Sequence, residues 1–207
     1  WCVETGAAFN APSAWSGTSE NDLSEENLVQ VVPSGPAPCP DAIRQLLLTA
    51  IYSARRTLTL TSPYFVPDES VLTALISAAL SGVEVTLIVP EINDWFLVRY
   101  AGVAPFEDLM EAGVRIALFQ GGLLHTKSMV IDGTLSLFGS VNLDMRSFWL
   151  NFEDSLFVYG SEFTAHIIEL QKGYLTHSVL VDAAAWRERS NYHRIMENAC
   201  RLIGPLL

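Results

Sequence analysis

The sequence predicts an α/β fold, a sheet flanked by helices, and three observations carry that prediction. Runs rich in β-branched residues alternate with apolar stretches of helical period. Asp132 and Gly133 stand between two apolar runs, the strongest short-range signal for a hairpin. The chain has 207 residues and 50% hydrophobic content, enough to bury a core of its own.

The elements follow in order. Residues 10–40 hold Ser, Gly, Glu and Asn with the proline cluster Pro33, Pro36, Pro38 and Pro40, which is linker and turn composition broken by one strand-like piece, LVQVV. The domain is expected over 28–207, behind an acidic linker or tail over 1–27. Asp41 stands where it would cap a helix over AIRQLLLTAIYSA. A strand, TLTLTS, precedes the breaker Pro63, and a second helix, SVLTALISAALSG, ends at Gly82. The next strand is VEVTLIVP. In NDWFLVRYAGVAPFEDLMEAG the pattern predicts a helix interrupted near Gly102 and Pro105, followed by the strand VRIALF. After the hairpin, WLNFEDSLFVYG reads as a strand, and two helices close the chain, from about Glu162 to Leu175 and from about Ala183 to Ile203.

Composition narrows the function. A net charge of −11 and a pI near 4.7 argue against a nucleic-acid partner, which requires a basic stripe along the phosphate path. The acid is concentrated early: Glu4, Glu20, Asp22, Glu25, Glu26 and Asp41 precede any Lys or Arg, whereas Lys172, Arg187, Arg189, Arg194 and Arg201 lie late. Cys2, Cys39 and Cys200 form no C-x-x-C and leave an odd count, the pattern of free thiols rather than of a zinc site or a disulfide framework. No apolar run reaches the ~18 to 20 residues of a membrane span, and WCVETG lacks the features of a signal peptide. The chain reads as a soluble or peripheral piece of something longer. In the tail, Ile195, Met196, Ala199, Leu202 and Ile203 share a helical side near Arg194 and Arg201, a pattern that fits a helix lying on anionic lipid and equally one packed on a core.

The chemistry is concentrated in HTKSMVIDGTLSLFGSVN, His125 to Asn142. If Asp132 and Gly133 are the loop, Ile131 pairs with Thr134 and His125 stands opposite Ser140. The period of two then places Lys127 beside His125 and Asn142 beside Ser140. One face would collect an imidazole, an ammonium, a hydroxyl and a carboxamide, which suits a phosphate: a nucleophile or acid, a fixed positive charge, and neutral donors. Taken singly, a His or Lys on a strand is an ordinary surface residue, Asp132 is turn chemistry and Gly139 marks a bulge or a strand end. Their coincidence carries the reading, in a chain whose only lysines are Lys127 and Lys172.

The spacing H-x-K-x4-D, six residues, then G-S-x-N resembles the HKD signature of the phospholipase D superfamily. The stretches VQVVPSGP, AIRQLLLTAIYSARR, SPYFVPDESVLTAL, GVEVTLIVP, EAGVRI, LLHTKSMVIDG and GSVNLDMRSFWLNFE resemble the carboxyl-terminal half of bacterial cardiolipin synthases, over Val29 to about Glu153 and loosely through the tail. The resemblance implies a mixed β-sheet flanked by helices with one of two HKD halves. It implies a phosphatidyl transferase that joins two phosphatidylglycerols through a phosphohistidine, without metal or other cofactor. By the same resemblance His125 is the general acid and base, Lys127 and Asn142 bind the phosphoryl group with Ser140 beside them, Glu153 accepts the second imidazole N–H with help from Asn151, and Asp132 and Gly139 are structural.

The partners so implied are phosphatidylglycerol, an anionic membrane surface, and the missing amino-terminal HKD half or a second copy of this one, with the parent protein at the bacterial cell membrane. None of His166, His177 or His193 begins a second H-x-K. Segment 92–106 departs from the smoother helix expected of the family, and Tyr64 and Phe65 are either pocket-lining or core. Two alternatives remain: a single-motif phosphodiesterase or nuclease acting as a homodimer, and an inactive lipid-binding half-domain.

Overall fold

The structure, a computed structural model, describes residues 28–36, 41–92, 96–189, 196 and 200. The expected linker over 1–27, Cys2, Cys39 and most of the tail lie outside the described residues; of the tail, Met196 and Cys200 are helical.

Ten strands and seven helices are described. β1 (Leu28–Ser34) leads to α1 (Ala42–Ser53), β2 (Thr57–Thr61) and β3 (Phe65–Val66). There follow α2 (Glu69–Leu80), β4 (Glu84–Pro90), α3 (Phe96–Val103), α4 (Phe106–Glu111) and β5 (Arg115–Phe119). The hairpin is β6 (Ser128–Ile131) and β7 (Leu135–Gly139), after which come β8 (Leu143–Asp144), α5 (Met145–Trp149) and β9 (Glu153–Tyr159). α6 (Ser161–Thr176), β10 (Ser178–Leu180) and α7 (Ala183–Arg187) complete the order.

The main sheet has eight strands in the order β1-β9-β7-β6-β2-β4-β5-β10, and β3 pairs with β8 in a separate ribbon. β2, β4 and β5 run parallel, joined through helices, while the hairpin side of the sheet is antiparallel. The sheet is therefore mixed, as expected.

Alternation along the strands gives the sheet two unlike faces. Leu58, Leu60, Val85, Leu87, Met129, Ile131, Leu137 and Phe157 point to one side, where they pack with Ile43, Leu47 and Ile51 of α1 and Val71, Leu72 and Leu75 of α2. Each such side chain, fully buried, contributes roughly 1.5–3 kcal/mol, so this layer dominates the stability. The other face, under α6, is rich in hydroxyls: Thr61, Thr86, Ser128 and Ser136 are all buried. Gln171 of α6 donates to the Thr59 carbonyl at 3.3 Å and to the Ser128 hydroxyl at 3.1 Å. Apolar contact there includes a small cluster of Ile88, Ala117, Phe119 and Leu124 with Tyr174 and Leu175, the Phe138–Phe163 ring stack, and the buried Val130 and Val158.

Several local expectations are corrected. Asp41 does occupy the N-cap position of α1, but its carboxylate takes the side chains of Arg44 and Gln45 instead of a backbone N–H. Met145–Trp149 is a short helix whose cap is Asp144, so the strand expected from Trp149 begins only at Glu153, as β9. The break between α3 and α4 falls at the predicted place, with Pro105 as the N-cap of α4. Phe65 belongs to the core, where it meets Phe106 with ring centroids 6.5 Å apart.

Candidate functional site

The hairpin turn forms as its sequence demands, yet the register differs from the count by one residue. Asp132 and Gly133 both adopt left-handed backbone, φ 52° and 73°, and the Thr134 N–H closes the turn on the Ile131 carbonyl at 3.1 Å. Ile131 nevertheless pairs with Leu135 rather than Thr134. Thr134 is an extra residue whose carbonyl accepts the Gly160 N–H at 2.8 Å, so the two strands slip past one another at a bulge. The counted pairing of His125 with Ser140 is not formed. β6 begins at Ser128, which leaves His125 in the segment leading into the sheet.

The polar groups assemble by another route, around the open end of the hairpin. His125, Lys127 and Ser140 line a cleft of about 410 Å³ whose other walls include Phe138 and, from α6, Ile167 and Leu170. His125 is exposed, and its imidazole makes no hydrogen bond to any described residue. The half-buried Lys127 turns its ammonium back onto the His125 carbonyl at 2.8 Å, which braces the segment carrying the imidazole. Burial pushes the Lys127 pKa down, while the negative charges of Glu153 and Asp144 oppose that shift.

Gly139 is fixed by close approach. A Cβ at this position would lie 2.2 Å from the Asp154 carbonyl oxygen and 2.9 Å from the Ser155 Cα of the neighbouring strand. Just beyond it, the Ser140 hydroxyl accepts the Asp154 N–H at 3.0 Å, a contact that ties the chain to β9 as it leaves the sheet. The chain is then pinned a second time, because the fully buried Ser62 accepts the Leu143 N–H on its hydroxyl at 3.2 Å. Asn142 lies between these two pins. Its amide Nδ2 donates to the Ser147 hydroxyl at 3.2 Å, and its Oδ1 is buried with no partner among the described residues.

Sequence reasoning passed over Asp144, which is only 7% exposed and accepts the Ser147 N–H at 2.6 Å. Burial raises its pKa against the Ser147 N–H and hydroxyl and the Asn142 amide, and the charge of Glu153 raises it further. The signal was present as an Asp three residues before a Ser at a helix start, in a helix too short to show a period.

Glu153 lies on β9 within electrostatic reach of both Lys127 and Asp144, and its Oε1 accepts the Asn151 amide at 3.0 Å. No hydrogen bond joins it to the His125 ring. Asp132, at the far end of the hairpin, accepts three backbone N–H groups on its carboxylate: Arg55 at 2.9 Å, Arg56 at 2.7 Å and Thr57 at 2.9 Å. Its role exceeds turn chemistry, since it fastens the hairpin tip to the junction of α1 and β2. Among the described residues no three His, Cys, Asp or Glu side chains gather as a metal site would require.

An imidazole, an ammonium, a carboxamide and two carboxylates in one region form a set suited to phosphoryl chemistry. Comparison with known proteins gives the same direction. Residues 47–173 match the model of the cardiolipin synthase, phospholipase D-like domain. The chain is 46% identical over its whole length to cardiolipin synthase A of Serratia proteamaculans, and 44% identical to that of Yersinia pseudotuberculosis, in each case covering 43% of the relative. It therefore spans less than half the length of these curated relatives. Among solved structures, Nuc of Salmonella typhimurium, a phospholipase D family member, superposes with a TM-score of 0.65 at 21% identity, over 75% of this chain and 99% of that one. The phosphatidylserine synthase of Haemophilus influenzae gives 0.69 at 16% identity, over 88% of this chain and 49% of that one. These two likenesses establish the fold: the chain matches all of one protein and half of the other.

Proposed function

The chain belongs to the cardiolipin synthase, phospholipase D-like domain family, and from that premise we propose that it is the carboxyl-terminal catalytic half of a phosphatidyl transferase that makes cardiolipin. The observation that supports this most directly is the grouping of His125 and Lys127 at one cleft, with Glu153 and Asp144 within electrostatic reach of Lys127 and Asn142 beside Asp144.

In the proposed reaction a histidine of the other half attacks the phosphorus of one phosphatidylglycerol. The bond from phosphorus to the glycerol oxygen breaks as the imidazolium of His125 gives that oxygen its proton, and glycerol leaves. The neutral His125 then removes the proton from the glycerol hydroxyl of a second phosphatidylglycerol, whose oxygen displaces the phosphohistidine nitrogen. Cardiolipin forms, and both rings return to their starting states. The Lys127 ammonium faces the charge that develops on the non-bridging oxygens, with an N–H of Asn142 beside it. Glu153 acts mainly on Lys127, keeping a half-buried amine charged. Gly139 and Ser140 hold the loop.

The reaction needs two histidines and this motif supplies one, so the other half is the proposed partner. The surface around the motif suits such a partner: Leu123, Phe152 and Leu150 are 85%, 81% and 64% exposed, immediately before His125 and Glu153 in sequence. Among the described residues no helix is long and apolar enough to cross a membrane, and attachment to an anionic bilayer is proposed for the parent protein.

The test is mass spectrometry of products after the full-length protein is incubated with phosphatidylglycerol vesicles. Cardiolipin with an equal yield of glycerol is expected. Phosphatidic acid alone would indicate a phospholipase, and no turnover would favour a lipid-binding module. Residues 1–207 alone should bring no turnover as a monomer, and robust activity from a strictly monomeric sample contradicts the half-site reading.

A further inference from the structure

We propose that Asp144 is a positioning residue of this site, acting through Ser147 to fix the orientation of the Asn142 carboxamide. The inference rests on the phosphoryl-transfer reading given above. Asp144 is buried on β8, in a ribbon that pairs Val66 with Asp144 and Phe65 with Leu143. Its carboxylate accepts the Ser147 N–H at 2.6 Å, and the Ser147 hydroxyl receives Nδ2 of Asn142 at 3.2 Å.

A carboxamide has two ends of opposite polarity and nearly equal shape, so something must choose which end faces the phosphoryl group. A serine hydroxyl alone does not choose, because it donates to Oδ1 as readily as it accepts from Nδ2. A neighbouring carboxylate removes that ambiguity. Asp144 is an acceptor only, so the Ser147 hydroxyl proton is drawn toward it and the hydroxyl lone pairs are left for the Asn142 amide. Nδ2 is then held by Ser147 with the Asp144 carboxylate also beside it; one N–H serves that pair, the other is left for a phosphoryl oxygen, and Oδ1, partnerless among the described residues, is left to receive a donor.

Asp144 is also the N-cap of α5, and capping by itself would account for its burial and for the Ser147 N–H bond. The two roles separate experimentally. Asp144→Asn keeps an oxygen that caps the helix but adds a donor and removes the charge, so the Ser147 hydroxyl is no longer forced to act as an acceptor. Ser147→Ala keeps the capped N–H and deletes only the hydroxyl. In the full-length enzyme both variants should retain the wild-type melting temperature and lower kcat at least ~10-fold, as loss of alignment does, with KM little changed. Adding Ser147→Ala to Asn142→Ala should cost nothing further, since both act on one carboxamide. Wild-type kcat in both Asp144→Asn and Ser147→Ala, or losses that multiply in the double variant, would overturn the proposal.

A second readout does not depend on the lipid reaction: binding of orthovanadate to the full-length protein by titration calorimetry. Asp144→Asn should weaken it as much as Asn142→Ala does. If the wild-type protein binds orthovanadate but makes no cardiolipin, the functional reading fails while Asp144 is still tested. If Asp144→Asn binds orthovanadate like wild type while Asn142→Ala does not, the positioning role is refuted whatever the substrate.

Discussion

The two ends of the β6–β7 hairpin carry the same motif and differ in how complete they are. At the tip, every carboxylate oxygen of Asp132 is engaged by backbone N–H groups of the α1–β2 junction. At the open end, the His125 imidazole has no hydrogen bond to a described residue, Asn142 keeps a buried oxygen without a partner among them, and burial lowers the Lys127 pKa against the charges of Glu153 and Asp144. A satisfied polar group stabilises a fold, whereas an unsatisfied one is poised to meet something else. The motif thus combines an anchored end and an open one at opposite ends of the hairpin.

If that division is right, substitutions at the open end should change turnover and leave folding alone, and those at the tip should do the reverse. The largest effect is expected from His125→Ala in the full-length protein, a fall in kcat of ~10² to 10⁴ with unchanged melting temperature. A folded variant that still makes cardiolipin at the wild-type rate breaks the comparison at its centre. Lys127→Met should cost ~10² to 10³ in kcat, as loss of one electrostatic stabiliser does. A defect recovered by raising the lipid concentration would move Lys127 from the reaction to binding of the ground state.

At the tip, Asp132→Asn keeps the turn, since Asn-Gly suits the same two left-handed residues, but its amide nitrogen cannot accept the Arg55 N–H. A loss of about 1–2 kcal/mol in chemical denaturation is expected, with specific activity of the folded fraction preserved. A folded Asn variant as inactive as His125→Ala would erase the distinction between the two ends.

The smallest effect is a pH dependence. Burial would raise the Asp132 pKa, but the N–H groups of Thr57, Arg56 and Arg55 and the charge of Arg56 outweigh it and leave the pKa below the ordinary value. A carboxyl depressed in the folded state contributes stability above its unfolded pKa of ~4 and loses that contribution as pH falls through the lower folded value. Acid denaturation of wild type and Asp132→Asn should therefore converge below pH ~4, and parallel curves would show that the carboxylate charge is not what the N–H groups hold.

Much of this could be read from the sequence because it depended on local rules. The 3.6 period of AIRQLLLTAIYSA, the alternation of TLTLTS, and the Asp-Gly turn all act over a few residues, and each forms as expected. What could not be read depends on the rest of the fold. Thr134 is bulged because Gly160, far along the chain, takes its carbonyl. Asp132 anchors a junction 75 to 77 residues earlier. Gly139 is needed because β9 crowds it, and Asp144 escaped notice because a two-residue strand and a five-residue helix leave almost no periodicity to detect. The composition of the site was legible, and its wiring was not.

The hydroxyl-rich face of the sheet has a dynamic consequence. α1 and α2 sit on hydrocarbon, whereas α6 lies over Thr61, Thr86, Ser128 and Ser136, and two buried hydroxyls there, on Ser136 and on Thr164 of α6 itself, lack a partner among the described residues. Water reaching those groups would satisfy them, so lifting α6 from the sheet recovers hydrogen bonds in partial return for the apolar contact it loses. α6 is thus the natural unit of sub-global opening, and its amides should exchange with solvent well before those of α1. Because Ile167 and Leu170 on that helix wall the cleft beside His125, such opening would widen the space beside the imidazole without disturbing the β6–β7 hairpin.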